Sequence, residues 1–321
     1  MKQQVLIPSD ISEAGKQYLR DRGYEIKMGH GLSEDCIIAD ARGCDAILVR
    51  NEPITRRILE NIPSVKVLSK HGVGLDKIDL QAAAEQNLWV TNGPMSNAVA
   101  VAEHTVMLLL ACAKKLVRFD LAIRSGDYNI RNTVKGIDVE GKTIGIIGCG
   151  KIGSMVAKKC IFGFGMRAVG YDPFLPSEAR MPEMEYTDRL EEVFRVADFV
   201  SLHVPATEQN TGFVNQELLS LMKPTAYLIN AARGSIINEP DLYEALKSEK
   251  IAGAGLDVYA QEPPSPENPL FTLPNITVTP HNASLTYETT DRMGLHAAQG
   301  IDEVLSGKTP TWPCVIPQNP R

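Results

Sequence analysis

The run GCGKIG at residues 148–153 limits the possible folds of this chain more than any other feature. It follows the apolar segment Thr143–Ile147, which predicts a buried strand, and a helical segment begins directly after it. Gly148 permits a tight turn, Gly150 lets backbone approach a pyrophosphate, and Gly153 lets helix and strand pack closely. The N-terminus of the new helix offers free N–H groups and a partial positive charge to phosphates. This order predicts a Rossmann unit that binds a dinucleotide.

Asp172 stands at the end of the next predicted strand, 167–171. It lies 172 − 153 = 19 residues past the last glycine, close to the roughly 20 residues expected before the acid that binds the adenosine ribose. Its carboxylate can accept hydrogen bonds from both ribose hydroxyls and would repel the additional phosphate of NADP. The sequence therefore predicts NAD as the cofactor.

Short apolar runs alternate with amphipathic segments along the first hundred residues. The runs predict strands at 5–7, 24–28, 46–49, 65–68 and 88–91, and the segments between them predict helices that include 12–22 and 76–86, the latter capped by Asp76 or Leu75. Five strand–helix alternations imply a parallel sheet that is covered on both faces. We expect an α/β domain with a flavodoxin-like open sheet.

The alternation restarts at Gly141 and predicts a second doubly wound parallel sheet. Its strands are expected at 143–147, 167–171, 199–203, 226–229, 251–256 and 276–279, and its helices at 152–162, 190–196 and 239–248. Long helices are predicted at 96–118 and 286–305, with an irregular segment at 124–136 and a proline-containing tail at 309–321. The sequence thus predicts a substrate domain, residues 1–98 plus 288–321, with an NAD-binding Rossmann domain, residues 99–287, inserted into it.

Composition limits the classes of function. The chain has 321 residues, of which 44% are hydrophobic and 22% charged, with a formal net charge of −6. This balance is typical of a globular protein with two domains, and it argues against nucleic acid or an anionic membrane as the main partner. The N-terminal apolar stretch is too short for a signal peptide, and the longest apolar segment, 106–113, is well below the roughly 20 residues of a membrane span. We expect a soluble cytoplasmic protein.

The six cysteines are scattered along the chain. They form no CxxC pair and no Cys/His cluster with the spacing of metal ligands. We interpret them as reduced thiols that pack as small hydrophobic side chains, and we predict no metal site.

Three loops that follow predicted strands carry polar residues suited to chemistry. Arg233 follows the strand at 226–229, Glu262 lies in the loop after the strand at 251–256, and His281 follows the strand at 276–279. Ligands of open α/β sheets sit outside the carboxyl ends of the strands, so we expect these loops to converge. Arginine, glutamate and histidine there would serve as anion clamp, orienting carboxylate and general acid/base.

The order of these motifs resembles that of the D-isomer-specific 2-hydroxyacid dehydrogenases. The resemblance rests on the glycine run, on NAARG at 230–234, GLDVYAQEP at 255–263 and TPH at 279–281, and in the first domain on KHGVGLDKID at 70–79. It spans nearly the whole chain. The family includes phosphoglycerate dehydrogenase, glyoxylate/hydroxypyruvate reductase and D-lactate dehydrogenase. It implies hydride transfer between nicotinamide C4 and C2 of a small D-2-hydroxy acid or 2-keto acid, and it favours a homodimer.

The resemblance also implies a catalytic role for each of the three loops. Arg233 would bind the substrate carboxylate and carbonyl through its planar fork of donors. His281 would give a proton to the carbonyl oxygen during reduction or take it during oxidation. Glu262 would hold the His281 ring. His104 is interpreted as a residue that packs within its helix.

The remaining binding residues follow from the same resemblance. Backbone N–H groups of Val73 and Gly74 would bind the substrate carboxylate, with Lys70 and His71 beside them. Lys70 could contact a distal phosphate or carboxylate, assisted by Arg50 and His71, or it could be an ordinary exposed lysine. The expected cofactor contacts are Gly148, Gly150, Lys151, Ile152, Gly153, Asp172, His203, Pro205, Thr211, Ala231, Arg233, Asp257 and His281.

Several features leave the substrate and one rival function open. Many family members read Asp-Asn-Ile-Asp where this chain has DKID at 76–79, and Gly-Gly or Gly-Ala where Asn282-Ala283 follows the histidine. The chain offers no room after the returning helix for a C-terminal regulatory domain, so feedback inhibition by serine is not expected. The alternative function is an NAD(H)-sensing protein-binding module of the C-terminal-binding corepressor type. Formate dehydrogenase is disfavoured because it would carry Gln in place of Glu262.

Overall fold

The computed structural model describes residues 2–321, which divide into two compact units. The first unit ends at Asn97 and resumes with Leu285–Arg321, and the second unit is Ala98–Ser284. The boundaries predicted from sequence, 98/99 and 287/288, differ from these positions by one and three residues.

Strands and helices alternate along most of the described chain. The strands are β1 (Gln4–Ile7), β2 (Glu25–Met28), β3 (Ala46–Val49), β4 (Val67–Lys70), β5 (Trp89–Thr91), β6 (Thr143–Ile147), β7 (Arg167–Tyr171), β8 (Glu185–Tyr186), β9 (Phe199–Leu202), β10 (Tyr227–Asn230), β11 (Gly253–Leu256), β12 (Ile276–Val278) and β13 (Pro313–Val315). The α-helices are α1 (Glu13–Asp21), α2 (Glu34–Asp40), α3 (Arg56–Glu60), α4 (Leu80–Glu85), α5 (Ala98–Ala113), α6 (Leu116–Arg124), α7 (Ile130–Thr133), α8 (Lys151–Phe164), α9 (Leu190–Val196), α10 (Gln216–Leu221), α11 (Glu239–Lys247) and α12 (Tyr287–Leu305).

The first unit contains a six-stranded sheet in the order β13-β5-β4-β3-β1-β2. Its five parallel strands follow the flavodoxin-like order 2-1-3-4-5, which confirms the prediction. The antiparallel edge strand β13, which pairs with β5, lies in the proline-containing tail at 309–321, where no strand is predicted. It was missed because it is only three residues long and begins with Pro313, a residue that sheets tolerate only at such edge positions.

The second unit contains a seven-stranded parallel sheet in the order β12-β11-β10-β9-β6-β7-β8. The order of the strands reverses between β6 and β9, with β7 and β8 on one side and β10 to β12 on the other, as expected for the predicted Rossmann domain. Every residue of β6, β9, β10 and β11 is buried, because helices cover both faces of the sheet. Apolar clusters of buried side chains occupy both faces.

The prediction of one continuous helix at 96–118 is wrong. Helix α5 ends at Ala113, Lys115 takes a left-handed conformation with φ 54°, and α6 begins at Leu116. The carbonyl oxygen of Ala113 accepts a hydrogen bond from the backbone N–H of Ile137 (2.8 Å). A residue 24 positions away (137 − 113) thus satisfies a carbonyl at the end of the helix. Neither Gly nor Pro marks this break in the sequence.

Two further local predictions are corrected. Helix α4 begins at Leu80 rather than residue 76, and its N-cap is Asp79, whose carboxylate accepts the backbone N–H of Ala82 (2.8 Å). The segment predicted to be irregular, 124–136, contains the short helix α7. Within residues 2–321, no helix combines the length and the apolar character needed to cross a membrane.

Candidate active site

Six neighbouring strands of the second unit end at the same level. The register pairs Tyr171 with Ile147, Ile147 with Leu202, Leu202 with Asn230, Asn230 with Leu256, and Leu256 with Val278. The residues that follow these ends are Asp172, Gly148, His203, Ala231, Asp257 and Thr279. The predicted cofactor and catalytic loops of this unit therefore leave one edge of one sheet, as expected for a ligand site of an open α/β sheet.

The glycine loop at this edge is tightly packed at two of its three glycines. Gly148 has φ +92°, and a Cβ placed there would lie 2.8 Å from the backbone carbonyl carbon of His203. A Cβ on Gly153 would lie only 2.1 Å from the carbonyl oxygen of Gly148. The fold itself therefore requires glycine at both positions.

Gly150 differs from the other two glycines. A Cβ there would meet no atom of the described protein within 4 Å, and the residue has φ −68°. Gly150 is the N-cap of α8, and no side chain caps this helix N-terminus. Open space at the start of a 14-residue helix, where backbone N–H groups point outward, matches the space that a pyrophosphate needs. The residues present fit a dinucleotide.

Asp172 is held at the glycine loop by backbone hydrogen bonds. One carboxylate oxygen accepts the N–H of Cys149 (2.9 Å) and the other accepts the N–H of Phe174 (3.0 Å). Each oxygen keeps a further lone pair for an additional donor. The carboxylate is thus fixed in place and can still accept ribose hydroxyls.

The loop after β9 carries three of the predicted cofactor residues. His203 lies with its backbone against Gly148, and its Nε2 is 2.8 Å from Ser201 Oγ. Burial lowers the pKa of His203 to about 4, so its ring is neutral at pH 7. Pro205 accepts a hydrogen bond from the Asn210 side chain (2.5 Å), and Thr211 donates to the Thr207 carbonyl (3.0 Å). These bonds shape the loop beside the glycine turn.

The loop that carries Arg233 is closed by Asn230, a buried residue at the end of β10. The Asn230 side chain accepts the N–H of Ala232 (3.0 Å) and donates to the carbonyl of Arg233 (2.9 Å). A Cβ on Gly234 would lie 1.9 Å from the backbone carbonyl carbon of Tyr259. Glycine at this position therefore brings the arginine loop against the segment that leads to Glu262.

His281 and Glu262 form a hydrogen-bonded pair. His281 Nδ1 lies 2.7 Å from Glu262 Oε2, and the other Glu262 oxygen accepts the backbone N–H of Tyr259 (3.2 Å). The His281 side chain is 48% exposed, so a small molecule can reach its free ring edge. The structure thus brings together the predicted acid/base and its predicted orienting carboxylate.

Asp257 is fully buried beneath His281. Its carboxylate accepts hydrogen bonds from Thr279 Oγ1 (2.6 Å) and from the backbone N–H groups of Asn282 (3.0 Å) and Ala283 (2.9 Å). His104 Nε2 lies 3.4 Å from the same carboxylate. Burial by itself raises the pKa of Asp257, but the hydrogen bonds from these residues outweigh it and hold the pKa below its ordinary value. Asp257 is therefore an ionised anchor for the loop that carries His281.

The predicted substrate loop of the first unit follows β4. Asn92, at the end of β5, donates from its side chain to the carbonyl of Val73 (2.8 Å), and the N–H of Gly93 donates to the carbonyl of Gly72 (2.9 Å). Gly72 has φ +114°, which a residue with a side chain rarely adopts. Sequence reasoning missed Asn92, although its position directly after a predicted strand was a usable signal.

Lys70 and His71 lie at the start of this loop. The Lys70 ammonium donates to the carbonyl oxygens of Arg50 and His71, the latter at 3.3 Å. Burial, together with the charges of Arg50 and Lys70, lowers the pKa of His71 to about 4. His71 therefore adds no positive charge at pH 7.

Comparison with known proteins gives one family and several relatives. Residues 106–283 match the family model "D-isomer specific 2-hydroxyacid dehydrogenase, NAD binding domain". The chain is 38% identical over 306 residues to a D-3-phosphoglycerate dehydrogenase of Methanocaldococcus jannaschii, an alignment that covers 95% of this chain and 58% of the relative. The chain thus spans little more than half the length of that relative.

Two other matches cover nearly the full length of both this chain and the relative. The chain is 35% identical to a glyoxylate reductase of Korarchaeum cryptofilum over 318 residues, which covers 97% of this chain and 95% of the relative. Among solved structures, an NADPH-dependent glyoxylate/hydroxypyruvate reductase of Sinorhizobium meliloti is 27% identical, with a TM-score of 0.89 and 100% of each chain covered.

Proposed function

Since this chain belongs to the D-isomer specific 2-hydroxyacid dehydrogenase family, we propose that it is an NAD-dependent oxidoreductase acting at C2 of a small D-2-hydroxy acid or 2-keto acid. The observation that carries the proposal is the pair of His281 and Glu262, with Nδ1 and Oε2 2.7 Å apart. The pair stands on the same sheet edge as the glycine loop and Asp172. When bound, the nicotinamide supplies or accepts the hydride.

His281 exchanges the proton that accompanies hydride transfer. Its Nδ1 is bonded to Glu262, so the proton exchanges with the substrate oxygen at Nε2, on the other side of the ring. Glu262 is itself held by the Tyr259 backbone and so fixes the plane of the ring. Reduction takes a proton from Nε2, and oxidation returns one to it.

Arg233 binds the substrate carboxylate and polarises the carbonyl. A guanidinium presents two parallel donors to a carboxylate, which fixes its orientation as well as its charge. The Asn230 side chain and the close approach at Gly234 hold the arginine loop in place. In this assignment Ala231 and Asp257 support the nicotinamide end of the cofactor, with Asp257 acting as the buried anchor described above.

The first unit serves as the substrate domain in this proposal. Backbone N–H groups of Val73 and Gly74 bind the substrate carboxylate, and Asn92 fixes their loop through the Val73 carbonyl. Lys70 supplies the positive charge for a distal phosphate or carboxylate of the substrate. His71, neutral at pH 7, supplies shape and a hydrogen bond rather than charge.

Asp172 supports NAD rather than NADP as the preferred coenzyme. Its carboxylate is fixed by two backbone hydrogen bonds and cannot swing away from an additional phosphate on the ribose. The Sinorhizobium meliloti relative is NADPH-dependent, so the family members do not all share one coenzyme. The coenzyme preference of this chain must therefore be tested separately from its activity.

A spectrophotometric panel tests the proposed function. Purified protein is assayed with NADH and NADPH against glyoxylate, hydroxypyruvate, pyruvate, branched 2-keto acids and 3-phosphohydroxypyruvate. We expect oxidation of NADH by at least one of these acids and a clear preference over NADPH. Oxidation of neither coenzyme by any acid would contradict the proposal and favour an NAD(H)-sensing binding module.

We further propose that the enzyme is a cytoplasmic homodimer. Helix α6 exposes several apolar side chains, including Leu116, Leu121 and Ile123, and none of its residues is buried. A second copy would cover such a face. All six cysteines of residues 2–321 are free thiols, which supports a reducing compartment. A monomeric mass by light scattering at micromolar concentration would contradict the dimer.

A further inference from the structure

His281 has an unusual backbone conformation for a residue with a side chain. Its φ is +51°, in the left-handed region that favours glycine. Such a conformation persists only where the surroundings hold it. The N–H of His281 donates to the carbonyl oxygens of Asp257 (2.8 Å) and Thr279 (3.1 Å). The groups that fix Asp257 and Thr279 therefore set the position of the acid/base.

His104 reaches this support from helix α5. Its Nε2 lies 3.0 Å from Thr279 Oγ1 and 3.4 Å from Asp257 Oδ1, and its side chain is 12% exposed. The buried residues of α5 that surround it are apolar, apart from Thr105, whose hydroxyl donates to the Val101 carbonyl of its own helix. Packing alone would not select an imidazole here, because an apolar side chain avoids the cost of desolvation.

The hydrogen bonds in this network can run in only one direction. The Thr279 hydroxyl has one proton, and at 2.6 Å it donates that proton to the Asp257 carboxylate, which can only accept. Thr279 Oγ1 must then accept from His104, so Nε2 of His104 carries hydrogen. The chain of donation runs from His104 through Thr279 to Asp257.

We propose that His104 is a positioning residue that acts through Thr279 and Asp257 to hold His281 in its productive place. Asp257 holds Asn282 and Ala283 on one flank of His281, and His104 fixes the Thr279 hydroxyl on the other flank. Loss of the His104 donor removes one of the two hydrogen bonds that fix the Thr279 hydroxyl, and the strained loop then relaxes. This inference rests on the proposed role of His281, since it concerns the placement of that residue.

Steady-state kinetics test the role of His104. We expect His104→Leu to lower kcat about 10- to 100-fold, since misplacement of a reacting group by about 1 Å has an effect of this size, while the Kd for NADH stays within about 3-fold. His104→Gln keeps an N–H donor and should restore kcat to within about 3-fold of wild type. The matched control is Glu103→Gln, an exposed neighbour on α5 that pairs with Lys159, and it should leave kcat unchanged. Unchanged kcat in His104→Leu, or equal losses in the Leu and Gln variants, would overturn the proposal.

A double-mutant cycle tests the path of action. Thr279→Val removes the hydroxyl through which His104 acts, so adding His104→Leu to it should lower kcat no further. Losses that multiply would mean that His104 acts independently of Thr279, contrary to the proposal. If the Leu or Val variant fails to fold, the cycle can be run with His104→Met and Thr279→Ala, which also remove the N–H donor and the hydroxyl.

Histidine side-chain ¹H–¹⁵N spectra of the full chain test the same network without activity. We expect the His104 signal to show hydrogen on Nε2, and the His281 signal to shift in His104→Leu but not in Glu103→Gln. A His104 ring without hydrogen on Nε2 would overturn the proposal. Absence of activity in the wild-type protein would instead contradict the proposed function, and the spectra would still decide the role of His104.

Discussion

The three glycines of the 148–153 loop provide a quantitative test of the cofactor site. A Cβ on Gly150 meets no protein atom within 4 Å, whereas a Cβ on Gly153 would lie 2.1 Å from the Gly148 carbonyl oxygen. We therefore predict that Gly150→Ala leaves the fold intact and weakens NADH binding. Gly153→Ala should both destabilise the fold and weaken NADH binding.

The magnitudes follow from these contacts. Alanine is a poorer N-cap than glycine, but it also restricts the unfolded chain, so the unfolding free energy of Gly150→Ala should stay within about 1 kcal/mol of wild type. Its methyl group would occupy the space of the pyrophosphate and block a charge-assisted hydrogen bond of about 1.5–3 kcal/mol. This loss corresponds to a Kd for NADH about 10- to 150-fold higher. Gly153→Ala forces backbone apart and should cost about 1–3 kcal/mol of stability or more.

The assays are urea unfolding for stability and NADH fluorescence titration for affinity. Gly163→Ala is the matched control, because Gly163 lies in the last turn of the same helix α8 and its Cβ also meets no atom within 4 Å. It should add up to about 0.5–1 kcal/mol of stability, the gain that alanine gives over glycine in a helix interior, and leave NADH affinity unchanged. A folded Gly150→Ala variant that binds NADH as tightly as wild type would refute the placement of the pyrophosphate.

Three further predictions concern other residues of the two units. His281→Gln should lower kcat by about 100-fold or more while the Kd for NADH changes little, because only proton transfer is lost; near-normal turnover would exclude the acid/base role. Asp172→Ser should weaken NADH binding and improve NADPH binding, measured by titration, and an unchanged ratio of the two affinities would contradict the role of the carboxylate. His71 has a folded pKa of about 4, below its unfolded value of 6.5, so the unfolded chain binds the proton first as pH falls. Its contribution to stability is complete above about pH 6.5 and decreases towards pH 4, by roughly 3 kcal/mol in total. Urea unfolding at pH 7.5, 6 and 5 should show a weaker pH dependence in His71→Gln, and an identical dependence would disprove the buried neutral ring.

Three strands agree with their predicted bounds at both ends. The bounds of β3, β6 and β7 equal the predicted ones residue for residue; β3 and β6 are fully buried segments followed by a polar residue or glycine, whereas β7 begins with the exposed Arg167. The break at Lys115 and the edge strand β13 depend instead on contacts with distant backbone, such as the bond from Ile137 to the carbonyl of Ala113. No local pattern encodes contacts of that kind.

The catalytic pair could be predicted for a related reason. His281 and Glu262 are 19 residues apart in sequence, but both follow strands of one parallel sheet, so the topology alone brings their loops to one edge. The positions of the motifs after successive strands therefore predict that their loops lie close together in space. The resemblance to a known family then supplied the roles, which spacing cannot give.

The support beneath the pair could not be predicted in the same way. His104 and Thr279 are 175 residues apart, and His104 lies on a helix rather than at a strand end. The only trace in the sequence is an imidazole among the apolar residues of α5, and such a residue is compatible with simple packing. The structure distinguishes simple packing from a positioning role. The Thr279 hydroxyl donates its one proton to Asp257, so its oxygen must accept a hydrogen bond from His104. An ionisable residue packed among the buried apolar side chains of a helix thus becomes informative only when the direction of its hydrogen bond can be assigned, and here that direction leads to the loop that carries His281.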